Sequence, residues 1–102
     1  MIGTIALVAA AIFVALALYR LTPAASATVA RLAMVLAFVA AVLGAAHWRG
    51  GADSRWIVGS LLIFLAFPIT ALSARSRGLR IAAVVVGVLG TALYAIAMAT
   101  AR

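Results

Sequence analysis

The chain has 102 residues, of which 70% are hydrophobic and 9% charged, and its formal net charge is +7. Soluble domains carry about 25% charged residues, so a soluble fold of this length would expose apolar patches that aggregate. The lack of cysteine excludes disulfides, thiol catalysis and thiolate metal sites. Nucleic-acid binding is not expected, because the basic residues, all arginine, sit between apolar runs and not along one polar face.

Four apolar segments follow one another and predict four transmembrane helices, at residues 2–19, 28–47, 56–73 and 79–100. Each segment is close to the ~20 residues that cross a ~30 Å hydrocarbon core. Backbone polar groups in lipid must be bonded within their own segment, which favours helices. Short connectors make neighbouring helices antiparallel. The sequence therefore predicts an all-α integral membrane protein, one transmembrane domain built as an up-and-down bundle of four helices.

The first segment has few polar side chains, with Thr4 near its start and Tyr19 at its end. No aspartate, glutamate or lysine lies in any of the four segments. Length and helix count resemble the small multidrug-resistance transporters, which depend on a glutamate in the first helix. Ion-coupled transport needs an ionisable group at depth, so this resemblance does not carry that function over.

Small residues at four-residue spacing form stripes along the second and fourth segments. Such stripes let helix backbones approach closely, which drives helix association in lipid. We expect them to serve either packing within the bundle or contact with another subunit, and the fourth segment is the one expected to face a partner. The predicted interface residues are Ala33, Ala37, Ala41, Gly44, Ala83, Gly87, Thr91 and Ala95.

The connector before the third segment holds the only histidine and the only carboxylate of the chain. Asp53 is expected to cap the third helix and to pair with Arg49 or Arg55, with Ser54 as the alternative cap. A functional alternative joins His47 to Asp53 as a proton relay or ligand pair. His47 is also the one candidate haem ligand, although no cofactor is predicted. No metal site is predicted, because no cluster supplies three or four ligands.

The third segment contains Pro68, which removes one backbone hydrogen bond and predicts a kink. The segment FPITALSAR, residues 67–75, and the basic proline turn RLTP, residues 20–23, together resemble the small subunits of multisubunit sodium/proton antiporters. The acidic and histidine positions of that family's first connector are missing here, and a fourth helix is added. The resemblance implies an accessory role in an ion-transporting membrane complex.

Arginine placement predicts the orientation in the membrane. Five arginines flank the first and third connectors, and three lie on the other side, so the first and third connectors are expected in the cytoplasm and both termini outside, in the periplasm. The alanine-rich, lysine-free composition indicates a bacterial inner membrane. The turn of residues 74–80 could also bind an anionic headgroup or an acidic patch on a partner. The predicted headgroup anchors are Arg20, Arg31, Arg75, Arg77, Arg80, Trp48 and Trp56.

Paired carboxylates, a Ser/His/Asp set and a phosphate-binding glycine loop are all missing, so the chain is not expected to be an enzyme. The favoured hypothesis is an accessory or structural subunit of a larger bacterial membrane complex, acting through helix packing. Its expected partners are membrane lipids, other membrane subunits or a second copy of itself. The alternative is a small homo-oligomeric transporter or channel with a path lined by Ser60, Thr70 or Thr91.

Overall fold

The computed structural model describes residues 2–22, 26–73 and 76–100. They form four helices: α1 (Ile2–Tyr19), α2 (Ala27–Arg49), α3 (Arg55–Leu72) and α4 (Arg77–Thr100). Each helix is long and apolar enough to span a membrane, with a mean hydropathy between 1.8 and 2.5. The prediction of an all-helical chain with four such helices is confirmed, and each helix begins and ends within two residues of its predicted segment.

Local hydrogen bonds and one glycine set the start of α2 and the turn from α2 into α3. Ser26 caps α2, where its Oγ accepts from a first-turn N–H at 3.5 Å. After α2 the chain reverses through Gly51, whose φ of +106° favours glycine. Asp53 Oδ1 accepts from the N–H of Arg55 at 2.9 Å at the start of α3. Of the two residues predicted as caps, Asp53 makes this bond and Ser54 makes no side-chain cap bond.

Helices that follow one another run antiparallel, and α1 and α3 each pack against both α2 and α4. The resulting bundle measures 42 × 19 × 18 Å. At one end α1 and α3 finish and α2 and α4 begin, and there Arg20 bonds to Ser73. We call this the Arg20 end. At the opposite end, the Asp53 end, Gly3 at the start of α1 lies against Trp56 at the start of α3.

Each helix buries a stripe of residues whose spacing alternates between three and four. The mean spacing is 3.5 residues, which is typical of the contact seam between helices that coil around one another in a left-handed bundle. In α1 the buried residues are Gly3, Ala6, Ala9, Ala10, Phe13 and Ala17. In α4 they are Ala83, Gly87, Gly90, Tyr94 and Ala97.

The predicted small-residue stripes follow this seam for only part of their length. A constant step of four residues drifts by about 40° per step around a helix of 3.6 residues per turn. In α4 the stripe therefore leaves the core after Gly87, so that Thr91 is half-buried and Ala95 is exposed. The remaining members are buried inside the chain's own bundle: Ala33, Ala37, Ala41, Gly44, Ala83 and Gly87.

Large side chains reach the core through gaps that glycines leave in the facing helices. Tyr94 of α4 is fully buried, and its hydroxyl donates to the carbonyl oxygen of Ala40 at 2.8 Å. A Cβ added at Gly44 of α2 would overlap the Tyr94 hydroxyl, and one at Gly59 of α3 would lie 2.8 Å from the Tyr94 ring. Tyr94 thus joins three helices through contacts that only glycine permits.

Two further pairs repeat this arrangement between other helices. The ring of Phe13 in α1 packs against Gly87 of α4, and a Cβ added to this glycine would lie 2.7 Å from the ring. Ile63 of α3 packs against Gly90 of α4, and a Cβ added to this glycine would lie 2.5 Å from Ile63 Cγ1. The bundle interior is therefore filled by a few large side chains that alternate with very small ones, as close packing requires.

The outer surface of the bundle carries large apolar side chains on all four helices. Ile5, Val35, Leu61 and Val85 are each about half exposed. Charged residues are confined to the connectors and to positions near the helix ends. Pro68 is exposed on α3, which continues through it to Leu72.

The Gly44→Ala substitution should lower the free energy of unfolding by about 2 kcal/mol, because the added methyl group displaces the buried Tyr94 ring and hydroxyl. Thermal unfolding of the purified chain in mild detergent measures the change. Gly78→Ala is the matched control, since a Cβ there meets only Ser76 Oγ at 3.7 Å. An equal loss of stability in both variants would contradict the role given to Tyr94.

Candidate functional site

An aromatic cluster fills the bundle interior near the Asp53 end. The Trp56 ring stands edge-on to His47, with ring centres 4.7 Å apart, and is tilted by 35° against Tyr94 at 4.8 Å. Trp56 was predicted to lie at the membrane boundary as an anchor, but its side chain is buried, with 1% of its surface exposed. It turns inward because Gly3 leaves room for its ring. Trp48, the other predicted anchor, is 41% exposed.

No hydrogen bond joins His47 to Asp53 within the described part of the chain. The Asp53 carboxylate instead pairs with Arg55, whose Nη1 lies 3.3 Å from Oδ2, while Arg49 is exposed. Both partners of the ion pair are more than a third exposed, so it contributes little to stability. Over residues 2–22, 26–73 and 76–100, no three histidine, cysteine or acidic side chains are grouped to hold a metal ion. The functional pairing of His47 with Asp53 is thus not assembled.

An apolar groove runs along the outside of the bundle between α1 and α4. Its volume is about 370 Å³, and its lining is almost wholly apolar. The stripe of small residues that leaves the core in α4 forms one wall of the groove. The lining residues are Ala11, Val14, Val88, Thr91, Ala92 and Ala95.

Thr91 gives the α1–α4 groove its one unsatisfied polar group. Its Oγ1 is buried and has no hydrogen-bond partner among the described residues. A smaller groove, about 210 Å³, lies between α2 and α3 and includes Ser60. There the Ser60 hydroxyl donates to the carbonyl oxygen of Ala41. The two grooves therefore differ in that only the α1–α4 groove leaves a hydroxyl without a bond.

The predicted headgroup anchors at the Arg20 end do not all lie at the surface. The Arg20 side chain is 5% exposed and folds over the end of α3, where its Nη1 donates to Ser73 Oγ. Helix C-termini leave carbonyl groups without partners, which gives a nearby arginine acceptors to bond. Arg31 and Arg77 are exposed and Arg80 is half-buried. Arg75, and also Pro23 of the RLTP turn, lie outside the described residues.

The polar contact between Arg20 and Ser73 was not predicted, although Arg20 directly follows the first apolar segment and Ser73 is the last residue of the third. Thr70 was predicted as a polar group that could line a path. Thr70 is buried, and its carbonyl oxygen accepts from Ser73 Oγ at 2.7 Å and from Arg20 at 3.5 Å. Its own hydroxyl has no partner among the described residues. The available signal was a basic residue and a serine at the ends of the first and third segments, which finish at the same end of an antiparallel bundle.

Comparison with known proteins identifies no relative of this chain: no family model, curated protein or solved structure gives a significant match. The resemblance to small antiporter subunits therefore stays a hypothesis. Evidence on function comes from the geometry of the chain itself.

The unpaired hydroxyl can be tested by a matched pair of substitutions. Thr91→Val keeps the side-chain shape and removes a hydroxyl without a partner, so the isolated chain should unfold at the same temperature or a higher one. Ser60→Ala removes a bonded hydroxyl and should lower the free energy of unfolding by about 1 kcal/mol. Thermal unfolding in detergent compares the two. A larger loss for Thr91→Val than for Ser60→Ala would show that Thr91 Oγ1 has a partner within the chain.

Proposed function

We propose that this chain is a non-catalytic integral membrane protein that spans the bilayer four times and packs against other membrane subunits in a larger complex. The observation that carries the proposal is the α1–α4 groove. It places small side chains along the outside of a bundle whose interior is already filled.

Helix length and surface composition support insertion in a bilayer. The shortest helices have 18 residues, a length of about 27 Å, which is close to the thickness of the hydrocarbon core. Large apolar side chains are exposed on every helix, and such a surface is stable in contact with acyl chains but not with water. The charged residues lie where the bilayer meets water.

The filled interior supports packing as the protein's role. Trp56, Tyr94, Phe13 and Ile63 are completely or almost completely buried at successive levels of the bundle. These side chains close its long axis, so a path for a solute through one copy of the chain is not supported. A transport path would have to form between copies.

The occupant that best fits the α1–α4 groove is a transmembrane helix of another subunit. Small residues such as Ala92 and Ala95 allow a neighbouring backbone to come close, which favours helix association in lipid. The partner helix is therefore expected to carry small side chains opposite Ala92 and Ala95.

Filling the groove should release the partner. Ala95 lines the groove and is exposed, so Ala95→Phe occupies the space without entering the core. We expect this variant to lose co-purification of the partner at least about tenfold after mild-detergent extraction from the source membrane. Ala71→Phe, at an exposed alanine on α3 outside the groove, is the matched control. Quantitative mass spectrometry of the purified complex measures both.

Crosslinking from the groove identifies what occupies it. A photoreactive residue at position 92 should crosslink to one defined membrane subunit, and Ala95→Phe in the same chain should abolish that product. Crosslinks to a second copy of the chain would favour the homo-oligomeric transporter instead. Crosslinks to lipid alone, with the chain recovered as a monomer, would overturn the proposed role.

We also propose that the protein lies in a bacterial inner membrane with the Arg20 end in the cytoplasm, supported by the excess of arginines at that end. Since the chain has no cysteine, single cysteines can report the orientation without background. In intact cells a membrane-impermeant maleimide should label Ser54→Cys, at the Asp53 end. It should label Gly78→Cys only after the membrane is opened. The reverse pattern would contradict this orientation.

A further inference from the structure

Arg20 is the one charged residue that the described part of the chain buries. It follows α1, and its backbone N–H donates to the carbonyl oxygen of Leu16 at 3.0 Å. Its guanidinium lies across the end of α3, where Nη1 bonds to Ser73 Oγ and to the carbonyl oxygen of Thr70. Both acceptors are uncharged. In these two bonds, the buried positive charge of Arg20 is therefore bonded to neutral groups.

A second guanidinium reaches the same corner from α4. Arg80 Nε donates to the carbonyl oxygen of Ser73 at 3.1 Å, and its Nη1 lies 3.4 Å from the carbonyl oxygen of Arg20. Burial, and then the positive charge of Arg80, lower the pKa of the Arg20 guanidinium. Arginine nevertheless stays protonated in proteins. Two positive charges therefore meet where α1, α3 and α4 come together.

No acidic side chain of this protein can balance these charges at the Arg20 end. The chain has a single aspartate or glutamate, Asp53, which lies at the opposite end of the bundle and pairs with Arg55. Arg31 and Arg77 add exposed positive charge near the starts of α2 and α4. The helices α2 and α4 begin at this end and α1 and α3 finish there, so the helix dipoles largely cancel and the arginines set the sign of its charge. The whole end of the bundle therefore attracts anions.

We propose that the Arg20 end binds a phosphate group, held by the guanidinium groups of Arg20 and Arg80 at the junction of α1, α3 and α4. Ser73 sets the geometry, because it accepts from both arginines and is itself fully buried. Phosphate oxygens match the paired N–H groups of a guanidinium, and charge-assisted bonds of this kind are about twice as strong as neutral ones. The phosphate comes either from an anionic lipid headgroup or from a free phosphate compound.

Thermal unfolding of the full chain in a nonionic detergent tests the site at constant ionic strength. The probes are inorganic phosphate, phosphatidylglycerol and, as a zwitterionic control, phosphatidylcholine. Binding to the folded state should raise the unfolding temperature by several degrees with at least one of the first two probes and not with phosphatidylcholine. Titration of each probe then gives its apparent affinity.

Substitutions assign the binding to the two arginines. Arg80→Gln should weaken binding about tenfold or more. Arg20→Lys, which keeps the charge but loses the two-bond geometry, should weaken it while the chain still folds. Arg49→Gln is the matched control, since it removes one exposed positive charge at the Asp53 end. It should leave the affinity unchanged.

Three outcomes support the site and identify the source of the phosphate. Stabilisation by both probes indicates that the site recognises the phosphate group itself. Stabilisation by phosphatidylglycerol alone indicates a lipid headgroup as the source. Stabilisation by inorganic phosphate alone indicates a free phosphate compound. Two outcomes overturn it. One is no stabilisation by either probe. The other is equal weakening by Arg80→Gln and Arg49→Gln, which would mean that net charge alone attracts the anion.

Discussion

Close approach of the four helices depends on glycines placed opposite the few large side chains of the core. Tyr94 reaches the interior because Gly44 and Gly59 have no Cβ, and Phe13 does so because of Gly87. Helices in lipid gain nothing from burying apolar surface that acyl chains would cover equally well, so they associate through close packing and hydrogen bonds. Tyr94 supplies both, because its ring packs against the glycines and its hydroxyl donates to the backbone of α2.

Because the interior is filled in this way, what remains for function lies on the outside and at the ends. The grooves between helices differ in one chemical detail, a bonded hydroxyl at Ser60 and an unbonded one at Thr91. An unbonded hydroxyl in an apolar environment is unfavourable until something bonds it. Small side chains line the α1–α4 groove beside this buried hydroxyl, and they make it the face that we propose for a partner helix.

The two ends of the bundle differ in their charge. Asp53 neutralises part of the positive charge at its own end, whereas arginines alone gather at the other. A buried guanidinium is expensive unless it is well bonded, and Arg20 relies on the hydroxyl of Ser73 and a helix carbonyl. The phosphate site and the proposed orientation both arise from this asymmetry, but they are separable, since a phosphate could bind on either side of a membrane.

Hydropathy and composition by themselves determined the number of helices and their approximate ends. The residue types beside the third segment limited the cap of α3 to Asp53 or Ser54 and the partner of Asp53 to Arg49 or Arg55. Each of these is set by the residue type or by neighbours in the chain, which a sequence displays directly. The rotation of each helix about its axis was decided only by the tertiary structure. Since the segments are apolar on every side, no polar face indicates which side turns inward. Trp56 was therefore expected at the surface, but it is buried. The small-residue stripe of α4 was followed at a constant step of four residues, so it departs from a buried seam whose mean spacing is 3.5 residues. The contact between Arg20 and Ser73 likewise exists only because α1 and α3 finish at the same end of the bundle, where the long Arg20 side chain reaches α3.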